Sequence, residues 1–164
     1  MSETEERAAL VAEAMTWRGT RYHDCARVKG AGADCLTFLA GVFENAGLVP
    51  KIDIPYYPPD WHLHRAEERY MTGLLQYCVE SDPASAIALE PLPGDVLLYK
   101  VGRCFSHGAL VVAYPQIIHA VKNIGVVLGD AQRDGRLTTI GENGVNKGKP
   151  RARRHFALRR WVAA

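Results

Sequence analysis

The fold of this chain is decided by residues 29–46, KGAGADCLTFLAGVFENA. From Cys35 onward, apolar side chains recur every three or four residues, which is the spacing of a helix with one buried face. Asp34 stands where an N-cap is expected, and a glycine and then a proline follow the last turn in the order that ends a helix. The sequence therefore predicts a helix over about residues 34–46, with Cys35 in its first turn.

The predicted elements change in type along the chain. A first helix is predicted from about Glu5 to Trp17, and a third from about Ala66 to Val79, each with apolar residues on one stripe. From Pro91 onward the chain consists of short apolar runs bounded by Gly, Pro and Asn, which are typical of antiparallel strands. These runs are DVLLYK, HGALVVAY, QIIHAV, GVVL and HFALRRWV. Helices followed by strands indicate an α+β fold in which N-terminal helices pack on an antiparallel sheet.

The composition is that of a globular domain. The length of 164 residues favours a single domain over 1–164, and 48% hydrophobic with 23% charged residues excludes a disordered chain. No segment approaches the ~18 consecutive apolar residues of a membrane span, so no membrane insertion is expected. The acidic start MSETEERAAL does not resemble a secretory signal, so we expect synthesis in the cytoplasm without a signal peptide. The four cysteines form no CxxC pair and are expected to be free thiols.

The C-terminal segment 143–164 is basic, although the net charge is only +2. It contains no acidic residue. Its basic residues are Lys147, Lys149, Arg151, Arg153, Arg154, Arg159 and Arg160. Such a segment can meet an anionic polymer, or it can be a solvated edge or a protein docking surface. Because it lacks the interleaved aromatic residues of single-strand binders, no nucleic acid partner is expected.

The position of Cys35 suits a nucleophile. Unpaired N–H groups at a helix N-terminus favour negative charge, so the pKa of the thiol is expected to be lowered and the thiolate favoured. The same N–H groups can face the oxyanion that develops during acyl transfer. The alternative is a small apolar residue directed into the core, since free cysteines are often buried. Position alone leaves the two interpretations open.

A cysteine nucleophile needs a base, and the base needs an orienting partner. His107 opens one predicted strand and His119 lies in the next, twelve residues later, so both rings can share one face of a hairpin. A flat hairpin centred on Tyr114-Pro115 leaves them roughly four residues, ~13 Å, apart along the strands. Taken singly, each histidine favours a structural role over a catalytic one.

Three ordered segments resemble the NlpC/P60 cysteine peptidases. They are GADCLTFLAGVF, PLPGDVLLYK, and SHGALVVAYPQIIHAV followed by GVVL, and the resemblance extends from about Trp17 to Leu128. It implies a papain-like α+β core, with a cysteine at a helix N-terminus and two histidines on adjacent strands. It also implies hydrolysis of peptidoglycan stem peptides, commonly at the γ-D-glutamyl–diamino acid bond, with no cofactor and no metal.

The resemblance assigns a role to each matching residue. Cys35 is the nucleophile, His107 the general base and acid, and His119 the polar residue that fixes the tautomer of His107. Tyr22 matches a tyrosine that lines the oxyanion site in the family, although a packing role is equally compatible with the sequence.

Further residues are expected beside the thiol. Asp34 caps the helix and orients the loop, and Ser106 precedes the base. Leu36 and Thr37 stand where most members have Ser-Gly, so the substrate subsite next to the thiol is expected to differ from theirs.

An insertion at about 52–88 separates the cysteine helix from the strands. Its YYPPDWHLHRAEERYMTGLL resembles versions that are encoded with phage tails and gene-transfer particles. This implies tail-tip proteins as partners and action at the bacterial cell wall from a virion or phage-like tail. The alternatives are a structural plug or docking part of a tail with weak or no catalysis, and an amidase on the same scaffold. His62 and His64 form an HxH pair that lacks a nearby third ligand, so a surface or groove position is expected rather than a metal site.

Overall fold

The computed structural model describes residues 1–81, 90–140 and 146–162. The helices are α1 (Glu3–Met15), α2 (Cys35–Asn45), α3 (Trp61–His64), α4 (Arg69–Leu74) and α5 (Arg159–Val162). The strands are β1 (Arg27–Val28), β2 (Gly32–Ala33), β3 (Cys78–Glu80), β4 (Val96–Val101), β5 (Cys104–Ala113), β6 (Gln116–Val121), β7 (Gly125–Asp130), β8 (Thr138–Ile140), β9 (Asn146–Pro150) and β10 (Arg153–Leu158).

The main sheet has six antiparallel strands within the described residues, in the order β3-β10-β4-β5-β6-β7. Two small hairpins, β1-β2 and β8-β9, lie outside it. Helices α1 and α2 contact each other and β5, and α2 also contacts β6. The predicted α+β fold, with N-terminal helices on an antiparallel sheet, is confirmed.

The helices and one face of the sheet enclose the main core. The ring of Trp17 meets Phe38 edge to face, with centroids 5.8 Å apart. A Cβ added to Gly41 would lie 2.5 Å from Cη2 of Trp17, so α2 needs a glycine at this point of contact. Leu10 of α1 and Leu110 of β5 are fully buried in the same cluster. This packing fixes the start of α2 relative to the middle of the sheet.

The opposite face of the sheet has a smaller apolar cluster. It contains Leu97, Tyr99, Ala109, Val111 and Ile117 from the central strands, and Ala131 and Leu137 from the chain that follows β7. The segment after β7 therefore covers the second face of the sheet. By strand alternation, His107 and His119 belong to this face.

Two predicted elements have other boundaries. The helix predicted over 66–79 is wrong beyond residue 74, because Cys78–Glu80 pairs with β10 at the sheet edge and becomes a strand. The run HFALRRWV was predicted as one strand, but its strand ends at Leu158 and Arg159–Val162 form a helical turn. In that turn the buried Trp161 donates from Nε1 to Oε2 of Glu6, 2.8 Å away, which ties the C-terminal end to α1.

The insertion and the basic segment both join the main body where they are described. The insertion contributes α3, α4 and the edge strand β3, whereas its residues 82–89 lie outside the described residues. In the basic segment, Arg154 pairs with Glu80 and Arg160 with Glu6. Residues 143–145 and 163–164 of that segment are also outside the described part. No helix in the described part is both long enough and apolar enough to span a membrane.

Candidate active site

The start of α2 is fixed by the side chain of Asp34. Its Oδ1 accepts hydrogen bonds from the N–H groups of Leu36 and Thr37 at 3.0 and 2.9 Å, and Oγ1 of Thr37 accepts from the N–H of Asp34 at 2.9 Å. This reciprocal capping box confirms the predicted N-cap. Within the described residues, the N–H of Cys35 donates to no other residue. One backbone donor is thus left beside the thiol.

The thiol of Cys35 lies against strand β5. Its Sγ donates to the carbonyl oxygen of Ser106, 3.4 Å away, and the backbone N–H of Gly108 also faces the sulfur. The hydroxyl of Tyr70 donates to the carbonyl oxygen of Cys35 at 2.9 Å. The nucleophile candidate is therefore placed on the backbone that carries His107. Both residues are described, and no hydrogen bond joins Sγ to the His107 ring in this structure.

The predicted low pKa of the Cys35 thiol is wrong for this structure. Burial raises the pKa to about 12, and the negative charge of Asp34 adds to the rise. The N–H groups of Gly108, Cys35 and Leu36 lower the pKa only in part. The helix N-terminus therefore does not offset desolvation of the thiolate, and the resting side chain is a neutral thiol.

The two histidines meet across the β5-β6 hairpin. Nε2 of His107 and Nδ1 of His119 are 2.9 Å apart, and the rings meet edge to face with centroids 5.1 Å apart. Leu110 pairs with Ile118, so position 121 lies opposite position 107, two residues beyond His119. The register shifts by one residue between Val111 and Ala113, which moves the position opposite 107 from 122 to 121. The offset is therefore about two residues, and the predicted four is too large. The predicted separation of ~13 Å along the strands is therefore wrong. An offset of two residues is ~7 Å along the strands, and two imidazole rings can span this distance.

Both imidazoles are neutral in the resting site. Burial lowers the pKa of His107 to about 3, and the neighbouring His119 lowers it further. Burial lowers the pKa of His119 to about 4, although the carboxylate of Asp134 opposes this shift. A neutral imidazole has a free nitrogen that can accept a proton, but a pKa of about 3 makes the resting His107 a weak base, because a general base is most effective with a pKa near the operating pH.

Asp134 is the acidic partner that the sequence analysis missed. Its Oδ2 lies 3.5 Å from Nε2 of His119, while its Oδ1 accepts from the side-chain Nε of Arg136 at 2.9 Å. The side chain belongs to the segment that follows β7 and covers the second sheet face. In the sequence, the signal for this residue was an acidic side chain shortly after β7, the strand that pairs with β6.

Tyr22 is close enough to Cys35 for the two side chains to interact electrostatically. Its backbone bridges to Ala33, directly before the α2 cap. Burial raises the pKa of its phenol above the ordinary value, and the nearby Cys35 and Asp34 add to the shift. The phenol therefore stays protonated and can donate a hydrogen bond. That the phenol and the N–H of Cys35 together form an oxyanion site stays a prediction.

The insertion contributes two tyrosines to this region. The hydroxyl of Tyr57 makes a short hydrogen bond to Oδ2 of Asp34, which also accepts from the N–H of Cys25 at 2.8 Å. Tyr70 holds the carbonyl of Cys35, as described above. Neither tyrosine is predicted as a site residue from the sequence. Their roles depend on how the insertion folds back onto α2, which periodicity does not reveal.

Leu36 lines an apolar cavity between α2 and the insertion. The cavity has a volume of about 460 Å³, and its walls include Leu39, Tyr57, Trp61 and Tyr70. Ser106 has a different position: its hydroxyl donates to the carbonyl of Val101 at 3.0 Å, and its own carbonyl faces the thiol. The substrate contacts expected of Leu36 and Ser106 stay predictions.

The HxH pair does not belong to this site. His62 and His64 lie in α3, and the backbone carbonyl of His62 accepts from the N–H of Arg103 at 3.0 Å. Among the residues that the structure describes, no group of three or more His, Cys, Asp or Glu side chains is arranged to hold a metal ion.

Comparisons with known proteins bear on the fold. Neither a scan against protein-family models nor a search of curated proteins gives a match. Among solved structures, the chain is similar to the NlpC/P60 domain of the peptidoglycan hydrolase SagA, with 24% identity and a TM-score of 0.53 over 77% of this chain and 90% of that one.

Two further structures show the same likeness. NlpC1 from Trichomonas vaginalis has 16% identity and a TM-score of 0.52, over 82% of this chain and 42% of that one. An NLP/P60-family protein similar to a lipoprotein, from Staphylococcus aureus, has 20% identity and a TM-score of 0.51, over 82% of this chain and 38% of that one. The chain thus spans less than half of these two proteins. It has the α+β fold of NlpC/P60 domains.

Proposed function

We propose that this domain is a cysteine peptidase that hydrolyses an amide bond in peptidoglycan stem peptides. The observation that carries the proposal is that Sγ of Cys35 faces the backbone of β5 on both sides of His107, at the carbonyl of Ser106 and the N–H of Gly108. Cys35 starts α2 with its sulfur on β5, where His107 is bonded through Nε2 to His119. Nucleophile, base and orienting partner in this order are what acyl transfer by a thiol requires. The fold shared with the domain of a peptidoglycan hydrolase supports the substrate class.

The first step begins from neutral partners. Sγ of Cys35 attacks the scissile carbonyl while His107 takes the thiol proton on its free nitrogen, so no separate thiolate accumulates. The N–H of Cys35 and the phenol of Tyr22 donate to the developing oxyanion. Collapse of this intermediate breaks the C–N bond, and the imidazolium of His107 returns its proton to the leaving amine.

The second step releases the acyl group. Water enters where the amine has left, and His107 takes one of its protons as the oxygen attacks the thioester. The C–S bond breaks, and the proton returns to the sulfur, which restores the neutral thiol. His119 orients the same ring in both steps, because its Nδ1 occupies the Nε2 side of His107.

For the substrate we propose the γ-D-glutamyl–diamino acid bond, on the resemblance to NlpC/P60 peptidases. We also propose that the domain acts at the bacterial cell wall as part of a phage-like tail, docked on tail-tip proteins. The support for the tail is the resemblance of the insertion, which joins the edge of the main sheet through β3.

The experiment is digestion of purified peptidoglycan followed by mass spectrometry of the soluble products. Wild-type protein is expected to release fragments with a new amine on the diamino acid, and Cys35→Ala to release none. Cys25→Ala is the matched control, because Cys25 is an exposed free thiol outside the proposed chemistry. Activity retained by the Cys35→Ala protein contradicts the proposal.

A structural plug or docking role in a tail is the second candidate. It is favoured by the raised pKa of Cys35 and by the missing hydrogen bond between its thiol and His107. An amidase on the same scaffold uses the same residues, and it differs in cutting the bond between the sugar lactyl group and the peptide. The mass of the products separates the three, because a plug releases nothing and an amidase releases whole stem peptides.

A further inference from the structure

The segment after β7 carries an acidic side chain to the far side of the histidine pair. Asp134 and His119 have side chains that are only 5% and 0% exposed, and Oδ2 of Asp134 lies 3.5 Å from Nε2 of His119. Within the described residues, this nitrogen has no hydrogen-bond partner in the resting geometry. A buried ring nitrogen without a partner costs free energy, and the carboxylate is the acceptor within closest reach.

The backbone of Gly129 lies close to the side chains of both Asp134 and His119, with no room for a Cβ atom. A Cβ added to Gly129 would lie 2.7 Å from Oδ2 of Asp134 and 2.9 Å from Nε2 of His119. Both atoms therefore converge above one glycine of β7. Any larger residue at position 129 would displace one of them.

Asp134 is held as a charged acceptor. Burial alone would raise the pKa of its carboxyl, but hydrogen bonds from the side chain and backbone of Arg136 outweigh burial and lower the pKa. Both bonds from Arg136 end on Oδ1, at 2.9 and 3.0 Å, so Oδ2 is left for His119.

A charged acceptor at this position determines where the protons of both rings lie. If Asp134 accepts from Nε2–H of His119, then Nδ1 of His119 is bare and must accept from Nε2–H of His107. Nδ1 of His107 is then bare as well. That nitrogen is the one that can take the thiol proton of Cys35.

We propose that Asp134 is a positioning residue that fixes the tautomers of His119 and His107 in turn, and so keeps Nδ1 of His107 free to act as the base. The proposal rests on the proposed function for its catalytic meaning, but the tautomers themselves are a property of the resting protein. During turnover, the carboxylate also stabilises the imidazolium of His107 through the intervening ring of His119.

Other charged and titratable groups face the pair from the surrounding elements. Arg136 follows Asp134 in the same segment, and Arg151 approaches from the chain before β10; both cations lower the pKa of a histidine. Tyr99 of β4 lies beside His107, with ring centroids 6.3 Å apart. Among these groups in the described residues, Asp134 alone supplies a negative charge.

Nitrogen NMR of ¹⁵N-histidine-labelled wild-type protein tests the proposal directly, since protonated and bare ring nitrogens have well-separated shifts. His107→Gln and His119→Gln variants assign the signals among the six histidines. The expected result is Nε2–H in both rings. A proton on Nδ1 of His119 in the wild-type protein overturns the proposal, and this reading needs no variant of Asp134.

Asp134→Asn gives the sharper second reading. Because Arg136 donates to the Oδ1 position, the amide oxygen must lie there, and the amide NH₂ then faces Nε2 of His119. The variant is therefore expected to move both protons to Nδ1 and to reduce kcat on the order of 10³-fold at little cost in KM. Asp60→Asn, which removes a 56% exposed carboxylate, is the control with the same change of charge.

The outcomes separate the two proposals. Unchanged tautomers and full activity in Asp134→Asn overturn the positioning role of Asp134. The expected tautomers in a wild-type protein that releases nothing from peptidoglycan leave the positioning role in place and contradict the proposed function. If Asp134→Asn does not fold, Gly129→Ala tests the same contact sterically, and it is expected to disturb both histidine signals.

Discussion

The backbone of Gly108 lies directly against the hydroxyl of Tyr70, with no room between them for a Cβ atom. That hydroxyl donates to the carbonyl oxygen of Cys35 at 2.9 Å. One glycine of β5 therefore lets a tyrosine of the insertion reach the backbone of Cys35. Because the contact joins the sheet, the insertion and α2, it shows that the insertion belongs to the architecture of the site.

Gly108→Ala is expected to displace Tyr70 and loosen the start of α2. Overpacking of this kind costs roughly 1–3 kcal/mol of the free energy of unfolding, and peptidoglycan cleavage should fall with it. Gly73→Ala is the matched control, since a Cβ at Gly73 meets no atom within 4 Å. Urea unfolding and product release are the measurements. Equal effects of the two substitutions would contradict this account of Gly108.

Alkylation by iodoacetamide at pH 7 should modify Cys25 faster than Cys35. Cys25 is exposed, whereas burial raises the pKa of Cys35 to about 12, so its thiolate is scarce at neutral pH. The rate at Cys35 should increase steadily with pH above 9. Peptide mapping after timed quenching gives both rates in one sample, and faster modification of Cys35 at pH 6–7 would reveal a preformed thiolate.

The stability of the protein should fall as the pH drops below about 6.5. The folded pKa values of His107 and His119 are lowered to about 3 and about 4, so between those values and 6.5 the unfolded chain binds more protons than the folded one. The stability they contribute is complete above pH 6.5, and on the order of 2 kcal/mol per histidine is lost by pH 5. Urea unfolding from pH 7.5 to 4.5 measures the slope. Replacing both histidines by Gln should flatten it, and an unchanged slope would contradict buried neutral rings.

Asp34→Ala is expected to reduce both stability and activity. The substitution removes the cap on Leu36 and Thr37 together with the acceptor of the Tyr57 hydroxyl, and loss of an N-cap alone costs about 1 kcal/mol. Asp34→Asn keeps an acceptor for the cap, so it should retain most of the stability. Thermal unfolding of the two variants is the comparison, and equal losses would show that the charge of Asp34, and not its capping, is what matters.

His119→Ala should lower kcat by at least ~100-fold and leave KM near its wild-type value. The ring of His119 is fully buried behind His107, so its loss releases the base without touching a bound substrate. Steady-state kinetics on a soluble stem peptide give both constants. A rise in KM at constant kcat would instead place His119 in substrate binding.

Much of the fold was predictable because its signals are local. The periodicity after Cys35 and the cap at Asp34 predict α2 within one residue, and the apolar runs locate the central strands. The errors lie where tertiary pairing outweighs local preference. Cys78–Glu80 continues a helical pattern of apolar residues, but pairing with β10 stabilises it more as an edge strand. No local feature of the sequence indicates this pairing.

The sequence predicts members of the candidate site, and it does not predict the electrostatics of these residues. The order of Cys35, His107 and His119 predicts these members, and the structure brings the two imidazole rings together, with a register shift in β5 that moves them one residue closer. The pKa of the thiol depends on how deeply the helix start is buried. The contribution of Asp134 depends on where the segment after β7 folds back. Sequence spacing therefore predicts neither the pKa of the Cys35 thiol nor the contribution of Asp134.

The central claim, that Cys35 is the nucleophile for a stem-peptide amide, is tested most directly by a stem peptide that carries a chloromethyl ketone at the scissile carbonyl. Peptide mapping after incubation should place one adduct on Cys35, at a rate that saturates with the reagent and falls when unmodified stem peptide competes. An adduct on Cys25 instead, or labelling of Cys35 no faster than by chloroacetamide without a peptide, would contradict the account.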